Sequence, residues 1–226
     1  MHFMLGQNSE AGKLFEEARK IDREDRPRPP FLYSQSLFRY GYFLIETGHA
    51  DQVLDEAERD QEWGTNGQDS SLLSRAIRLL VLGAARLSLM EREVRSTDFV
   101  HGTQEILDDA VAMFRTAGYA DYSVRGLLER ARFYRLRHQI EDDDYIRAQE
   151  DLDRASSEAE RGQMDLLRAD ILLERAASYR EFTRMMTDAE REALKGRLSG
   201  LLKEVGELVR TMQYARRDGW LKELVD

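Results

Sequence analysis

The three prolines of this 226-residue chain all lie within one short segment, at Pro27, Pro29 and Pro30. Proline interrupts helices because it lacks a backbone N–H and its ring clashes with the preceding turn. Residues 31–226 contain no proline and are rich in Ala, Leu, Glu and Arg, which all favour helix. The sequence therefore predicts an all-α protein.

Composition limits the classes of function. Hydrophobic residues make up 42% of the chain, enough to form a core, and the formal net charge is -9. A general nucleic-acid or membrane-surface binder needs a net basic face, so neither partner is expected. The strongest apolar run, 76–90, carries Arg78 and Arg86, which argues against a membrane span. A cytoplasmic location is the default expectation.

Apolar residues that recur with a 3.6-residue period predict ten helices. Their expected ranges are 9–22, 33–47, 50–63, 70–92, 100–117, 121–138, 143–161, 164–182, 187–211 and 216–225. Glycines at the ends of these segments are candidates for a left-handed residue or turn, namely Gly48, the 64–67 segment, Gly118 and Gly162. Candidate N-terminal caps are Asp69, Asp121 and Thr187. Short connections between antiparallel helices follow.

Small residues recur in this pattern about every 45 residues, which is typical of a lengthened helical repeat. The candidates for the close-packing site of the first helix of each pair are Gly41, Gly83, Ala131 and Ala176. A small–large–small pattern expected on second helices occurs at Ala148, Leu152 and Ala155, and in weaker form at Leu198, Leu202 and Val205. The pattern predicts an α-solenoid of stacked antiparallel helical hairpins spanning residues 1–226 as a single domain.

The two ends of the chain carry further expectations. Ala11, Phe15 and Ala18 repeat the second-helix pattern, so we expect the chain to begin within a repeat and to be a piece of a longer solenoid. At the other end, an amphipathic stripe is expected to close the last hairpin rather than to dock on a partner. Its members are Trp220, Leu221, Leu224 and Val225.

Most of the chain, especially 11–63 and 124–164, resembles tetratricopeptide arrays. The residues that carry the resemblance are Pro30, Leu32, Tyr33 and Ser34, then Val53, Leu54, Ala57 and Trp63, then 125–128, and finally Tyr214, Arg216, Arg217 and Asp218. The particular likeness is to arrays in the C-terminal regions of large bacterial multidomain signalling NTPases and effectors. It implies a sensing or assembly scaffold in signal transduction, with chemistry in other domains. The insert at 139–143 and Gly200 and Gly206 depart from the usual repeat.

Motifs that would carry chemistry are weak. Residues 6–13 resemble a phosphate-binding loop, but five residues separate Gly6 from Gly12 and Leu14 replaces the required hydroxyl. The acidic run 141–144 lacks the glycine and ligand spacing of a calcium loop, so a solvated, helix-capping loop is favoured.

The remaining catalytic signatures are missing from the sequence. His2, His49, His101 and His138 form no HExxH pair, no serine lies in a GxSxG motif, and cysteine is absent. We therefore expect no enzyme activity, no catalytic residue, no cofactor and no metal.

The sequence also leads to a residue-level prediction, which is a groove that binds a partner. If Gly41 and Ala131 mark close-packing sites, two stripes of side chains would face the concave surface of the solenoid. They comprise Gln35, Phe38 and Tyr42 on one helix, and Arg125, Leu128, Arg132 and Arg135 on another. Core packing is the alternative for the aromatic residues, and pairing with acids of the same chain is the alternative for the arginines.

The arginines suggest the chemistry of the partner. Residues 121–138 hold five arginines against two acids in a chain of net charge -9, and guanidinium groups bind carboxylates bidentately. We expect a non-catalytic protein–protein interaction scaffold that binds an acidic peptide or protein. The alternatives are a sensor or autoinhibitory region that contacts effector domains of the same larger protein, and a sensor of a small molecule or signal peptide.

Overall fold

The structure, a computed structural model, describes residues 3, 5–25, 35–64, 71–137, 143–183 and 186–225. Within these ranges the chain is all-α with no strand, as predicted. The helices are α1 (Asn8–Asp25), α2 (Gln35–Glu46), α3 (Ala50–Gly64), α4 (Leu72–Arg92), α5 (Thr97–Ala117), α6 (Ala120–Leu136), α7 (Asp144–Arg161), α8 (Asp165–Phe182), α9 (Asp188–Thr211) and α10 (Asp218–Val225). None of these helices combines the length and apolar character needed to cross a membrane.

The described residues form two compact units. The N-terminal unit holds α1 to α5, in which α2 packs against both α3 and α4, α3 against α4, and α4 against α5. The C-terminal unit holds α6 to α10, in which α6 packs against both α7 and α8, α7 against α8, and α8 against α9. Helix α2 of the N-terminal unit and helix α6 of the C-terminal unit therefore each contact the next two helices along the chain. The single repeat domain over 1–226 stays a prediction.

Hydrogen bonds from backbone N–H groups to a capping side chain mark the first residues of α4, α5 and α9. Thr187 caps α9 as predicted: its hydroxyl accepts from the Glu190 backbone N–H, and the Glu190 carboxylate accepts from the Thr187 N–H at 2.9 Å. Helix α5 begins three residues before its predicted start because the Ser96 hydroxyl accepts from the Phe99 N–H at 3.3 Å. Helix α4 is capped by Ser71, and the predicted cap Asp69 lies outside the described residues.

Helix ends agree with the sequence at two glycines and differ at a third. Gly48 and Gly118 adopt left-handed backbone angles, with φ of 91° and 73°. Gly162 was expected to do the same, but its φ is -87° and the left-handed residue is Gln163, with φ of 52°. The Met164 N–H reaches back to the Ala159 carbonyl at 2.9 Å, so the chain reverses one residue later than predicted.

Small residues lie at close helix contacts. A Cβ atom on Gly41 would lie 2.4 Å from Val81 Cγ1 of α4, and one on Gly83 would lie 2.5 Å from Leu107 Cδ2 of α5. Gly83 thus presses against its hairpin partner, whereas Gly41 presses against the first helix of the following pair. Ala131 and Ala176 are fully buried. The backbones at Gly41 and Gly83 are too close to a neighbouring side chain for any larger residue.

The second-helix pattern holds on α7 and fails in part on α1. The α7 residues Ala148, Leu152 and Ala155 are fully buried. On α1 Ala11 is buried, but Ala18 is exposed. On α1, therefore, the first small residue of the pattern is buried and the second is exposed.

The last helix closes the C-terminal unit. In α10, Leu224 is buried and Trp220 and Leu221 pack against an apolar cluster of α8 and α9, while Val225 is exposed. Helix α9 runs unbroken through Gly200 and Gly206. Three of the four stripe residues at the chain end therefore serve packing, as predicted.

Candidate functional site

The arginines of α6, with Arg137 directly after it, lie on two sides of the helix. On one side Arg130 donates two hydrogen bonds to Asp151 of α7, at 2.7 and 2.8 Å, and Arg137 donates to Asp144 at 3.2 Å. Both carboxylates are buried. Much of the positive charge noted in the sequence is therefore matched by acids of the same unit.

Arg135 faces α8, and the spacing of Arg125 and Arg132 places them on the same side of α6 as Arg135. Arg135 donates to both oxygens of Glu174 on α8, at 2.6 and 3.2 Å, and the Glu174 side chain is only 1% exposed. We call this region the α6–α8 seam and define it by Arg125, Arg132 and Arg135 on α6 with Asp170 and Glu174 on α8. The sequence-predicted residue Arg135 lies in the seam, and its guanidinium holds a buried carboxylate there.

Asp170 is the second buried acid of the seam. It accepts hydrogen bonds from Arg217 Nε at 2.5 Å and from the Tyr214 hydroxyl at 3.2 and 3.3 Å. Burial alone would raise the pKa of Asp170, but Arg217, helped by Arg216 and Arg125, holds that pKa below its usual value. Burial, together with the Asp170 charge, raises the pKa of Tyr214 to about 12. The site therefore keeps Asp170 ionised and Tyr214 protonated.

The remaining predicted residues of α6 are half-buried. Arg132 Nη1 donates to Glu129 at 3.3 Å, and Glu129 is itself buried. Arg125 lies close enough to Asp170 to lower its pKa. Leu128, which lies between Arg125 and Arg132 on the same stripe, is also half-buried. All three keep part of their surface accessible.

The aromatic stripe belongs to the N-terminal unit. Gln35 is exposed at the first position of α2, and the rings of Phe38 and Tyr42 are half-buried with their centroids 4.7 Å apart. By contrast Tyr40 and Phe43 are core residues. Core packing therefore accounts for Tyr40 and Phe43, and the groove role of Phe38 and Tyr42 stays a prediction.

A buried polar network joins α1, α2 and α3, and the sequence did not lead us to expect it. Arg19 donates to the Tyr40 hydroxyl at 2.7 Å and to Glu56 at 3.2 Å, and the Tyr40 hydroxyl donates to Glu16 at 3.2 Å. Burial, with Glu16 and Glu56 adding to it, raises the pKa of Tyr40 to about 12 although Arg19 opposes the shift. Arg19 follows Ala11 and Phe15 at four-residue spacing, and this spacing could have indicated its burial.

The weak motifs form no cluster of chemical groups. Gly12 backs onto the Phe43 ring, and Lys13 lies 3.5 Å from Glu10 at the surface. Asp144 of the acidic run binds Arg137, whereas Glu141 and Asp142 lie outside the described residues. Within the described ranges no three His, Asp or Glu side chains converge closely enough to hold a metal ion.

Two of the four histidines, His49 and His101, lie within the described residues. His49 Nδ1 lies 3.1 Å from the Thr47 hydroxyl, and His101 Nε2 lies 3.2 Å from Glu105. His2 and His138 lie outside the described residues. Each of the two described histidines thus has a polar neighbour on its own segment.

Comparison with protein-family models, curated proteins and solved structures gives no match to this chain. The resemblance to tetratricopeptide arrays stays a prediction from the residues that carry it.

Proposed function

We propose that this chain is a non-catalytic protein-interaction module, built as a tetratricopeptide-like α-solenoid, that binds an acidic segment of a partner protein at the α6–α8 seam. The helix packing within each unit supports the solenoid, and the arginines of the seam support an acidic partner.

The packing supports the scaffold part of the proposal. In hairpin arrays, each helix contacts its partner and the corresponding helix of the next pair. The contacts of α2 with α3 and α4, and those of α6 with α7 and α8, follow this order. Gly41 and Gly83 provide the close approach that such stacking needs. Solenoids of stacked pairs present extended concave surfaces that bind partners.

The concentration of arginines around the seam is the observation that carries the binding part. Five arginines surround three buried carboxylates, namely Arg125, Arg132, Arg135, Arg216 and Arg217 around Glu129, Asp170 and Glu174. All five arginines are half-buried. Partial burial strengthens the attraction between a guanidinium and an incoming carboxylate because water screens the charges less. A Glu- or Asp-bearing peptide suits this half-buried, arginine-lined surface, because each guanidinium has several donors and can bind more than one carboxylate.

The Phe38–Tyr42 pair and Gln35 offer a separate contact surface on the N-terminal unit. Two neighbouring aromatic rings with accessible edges suit an apolar side chain of a bound segment. We include them in the proposal as a contact surface distinct from the seam.

The test of the seam uses the full chain and two fluorescein-labelled peptides of the same apolar spacing, one rich in Glu and the other with Gln at the same positions. Fluorescence anisotropy should show binding of the Glu peptide, weakened by salt. The double substitution Arg125→Gln and Arg132→Gln should raise its Kd about tenfold or more. Equal binding of both peptides would overturn the proposal.

The control is Arg154→Gln, which removes one exposed arginine from α7 and should leave the Kd unchanged. Arg135 is left in place because it donates two hydrogen bonds to the buried Glu174 carboxylate. Arg132→Gln also removes a charged partner from the buried Glu129, so the fold of the double variant is checked by circular dichroism. If the double variant keeps the helical circular dichroism of the original chain and still binds the Glu peptide equally well, the seam is not the site.

A further inference from the structure

Helix α1 presents more apolar surface than its own unit covers. Its inner face packs through Phe15, whose ring centroid lies 5.0 Å from that of Phe43 and 5.5 Å from that of Tyr40. Beside this face Leu14 is 47% exposed and Ile21 is 54% exposed, with Ala18 exposed between them. Residues at this spacing lie on one side of a helix. We call Leu14, Ala18 and Ile21 the α1 stripe.

A row of acids runs along the outer edge of the α1 stripe. Glu10, Glu17 and Glu24 are all exposed and recur every seven residues. With 3.6 residues per turn, this row lies next to the stripe on the side away from Phe15. Lys13 lies 3.5 Å from Glu10. The exposed Lys20 lies one turn from Glu17 and from Glu24, on the side of the row away from the stripe, so the acids are the charges that border the stripe.

We propose that the α1 stripe docks an amphipathic helix of a partner protein whose apolar face is bordered by Lys or Arg. The leucine and isoleucine supply the apolar contact, and the acidic row selects the sign of the flanking charge on the partner. The row also disfavours antiparallel pairing with a second copy of this chain, because two antiparallel α1 stripes face to face would bring their rows of Glu together.

This surface is independent of the α6–α8 seam. It lies on α1 of the N-terminal unit and uses apolar and acidic side chains, whereas the seam lies in the C-terminal unit and uses arginines. A binding partner for one surface therefore has the opposite charge to a partner for the other. The double substitution at Arg125 and Arg132 should not change binding at the α1 stripe.

The test uses the full chain and a labelled amphipathic helical peptide with Leu on one face and Lys on both flanks. A matched peptide carries Glu in place of Lys. We expect the Lys peptide to bind with a Kd at least about tenfold lower than that of the Glu peptide. Glu17→Lys together with Glu24→Lys should reverse this preference, which a merely structural role of α1 would not do.

Substitutions on the stripe provide the second arm. Leu14→Asp and Ile21→Asp should each weaken binding of the Lys peptide about tenfold. Val94→Asp, which alters a 73% exposed residue after α4 in the same unit, should leave binding unchanged. The half-exposed positions of Leu14 and Ile21 predict that all these variants fold, and circular dichroism checks this.

Three results would overturn the proposal. These are equal binding of the two peptides to the original chain, undiminished binding by both stripe variants, and self-association in sedimentation equilibrium that Leu14→Asp abolishes. The last result would assign the stripe to a second copy of the chain. Failure of the Glu-rich peptide at the seam leaves each of these measurements unaffected.

Discussion

Arg135 of α6 and Glu174 of α8 share two hydrogen bonds, from Nε to Oε1 at 2.6 Å and from Nη2 to Oε2 at 3.2 Å. Removing one partner of a buried ion pair leaves an uncompensated charge in the interior. We expect Arg135→Ala to lower the free energy of unfolding by about 3 kcal/mol, as measured by urea denaturation.

The exposed pair of Lys195 and Glu192, with an N–O distance of 2.8 Å, provides the control. Lys195→Ala should leave the free energy of unfolding nearly unchanged, because water solvates both groups. Replacing both buried partners, with Arg135→Met and Glu174→Leu, should recover much of the loss. A cost at Arg135 no larger than at Lys195 would contradict the role assigned to the buried pair.

Two Gly→Ala substitutions should act in opposite directions. Gly200 lies in an exposed part of α9 with nothing within 4 Å of a built Cβ, so Gly200→Ala should stabilise the chain by about 1 kcal/mol. Gly41→Ala would place a Cβ 2.4 Å from Val81 Cγ1 and should destabilise by about 1–3 kcal/mol. Thermal or urea unfolding of the two variants measures both effects, and the same sign at both sites would count against the α2–α4 packing.

Glutamine occupies a left-handed position after α7 and again after α9. Gln163 and Gln213 both have φ of 52°, where a side chain is strained and glycine is not. Gln213→Gly should therefore raise the free energy of unfolding by about 0.5–1 kcal/mol. Gln104→Gly, inside α5, is the matched control and should lower it by about 1 kcal/mol. Urea midpoints of the two variants compare the effects directly.

Tyr40 and Tyr214 should lose their phenolic protons at a higher pH than ordinary tyrosines. Their pKa values are raised from 10.0 to about 12 in the folded chain. Because the folded pKa exceeds the unfolded one, the stability that these hydroxyls contribute is complete below pH 10 and is lost as the pH rises toward 12. Ultraviolet difference titration should show Tyr40 and Tyr214 among the late phenols, and Tyr40→Phe and Tyr214→Phe should each remove one of them. Burial also raises the pKa of Tyr145, so its late signal should persist in both variants. A titration in which all phenols ionise together below pH 11, with the helical signal intact, would contradict both shifts.

The ten helices were predictable because each rests on local information. Apolar period, glycine position and caps such as Thr187 act within a few residues. The early start of α5 escaped prediction because Ser96 competes with several nearby polar residues as the cap. At the end of α7 the prediction from the local sequence was wrong, because Gln163 rather than Gly162 takes the left-handed angle.

The pairing of charges was not predictable to the same degree. The sequence shows that 121–138 is rich in arginine, but only the tertiary register of α6 against α7 and α8 decides that Arg130 meets Asp151 and Arg135 meets Glu174. Arg19 is different, because its four-residue spacing from Phe15 carries a signal for burial. A buried arginine needs a carboxylate, and the identity of that carboxylate, Glu56, depends on how α1 and α3 meet.

Asp170 and its two partners are far apart in the order of synthesis. Asp170 of α8 leaves the ribosome more than forty residues before Tyr214 and Arg217, which satisfy its buried charge. Until those residues emerge, α8 holds a carboxylate that cannot be buried without cost. The C-terminal unit therefore completes its fold only after Tyr214 and Arg217 have been synthesised, and shortening the chain before Tyr214 would leave the Asp170 carboxylate without these two partners.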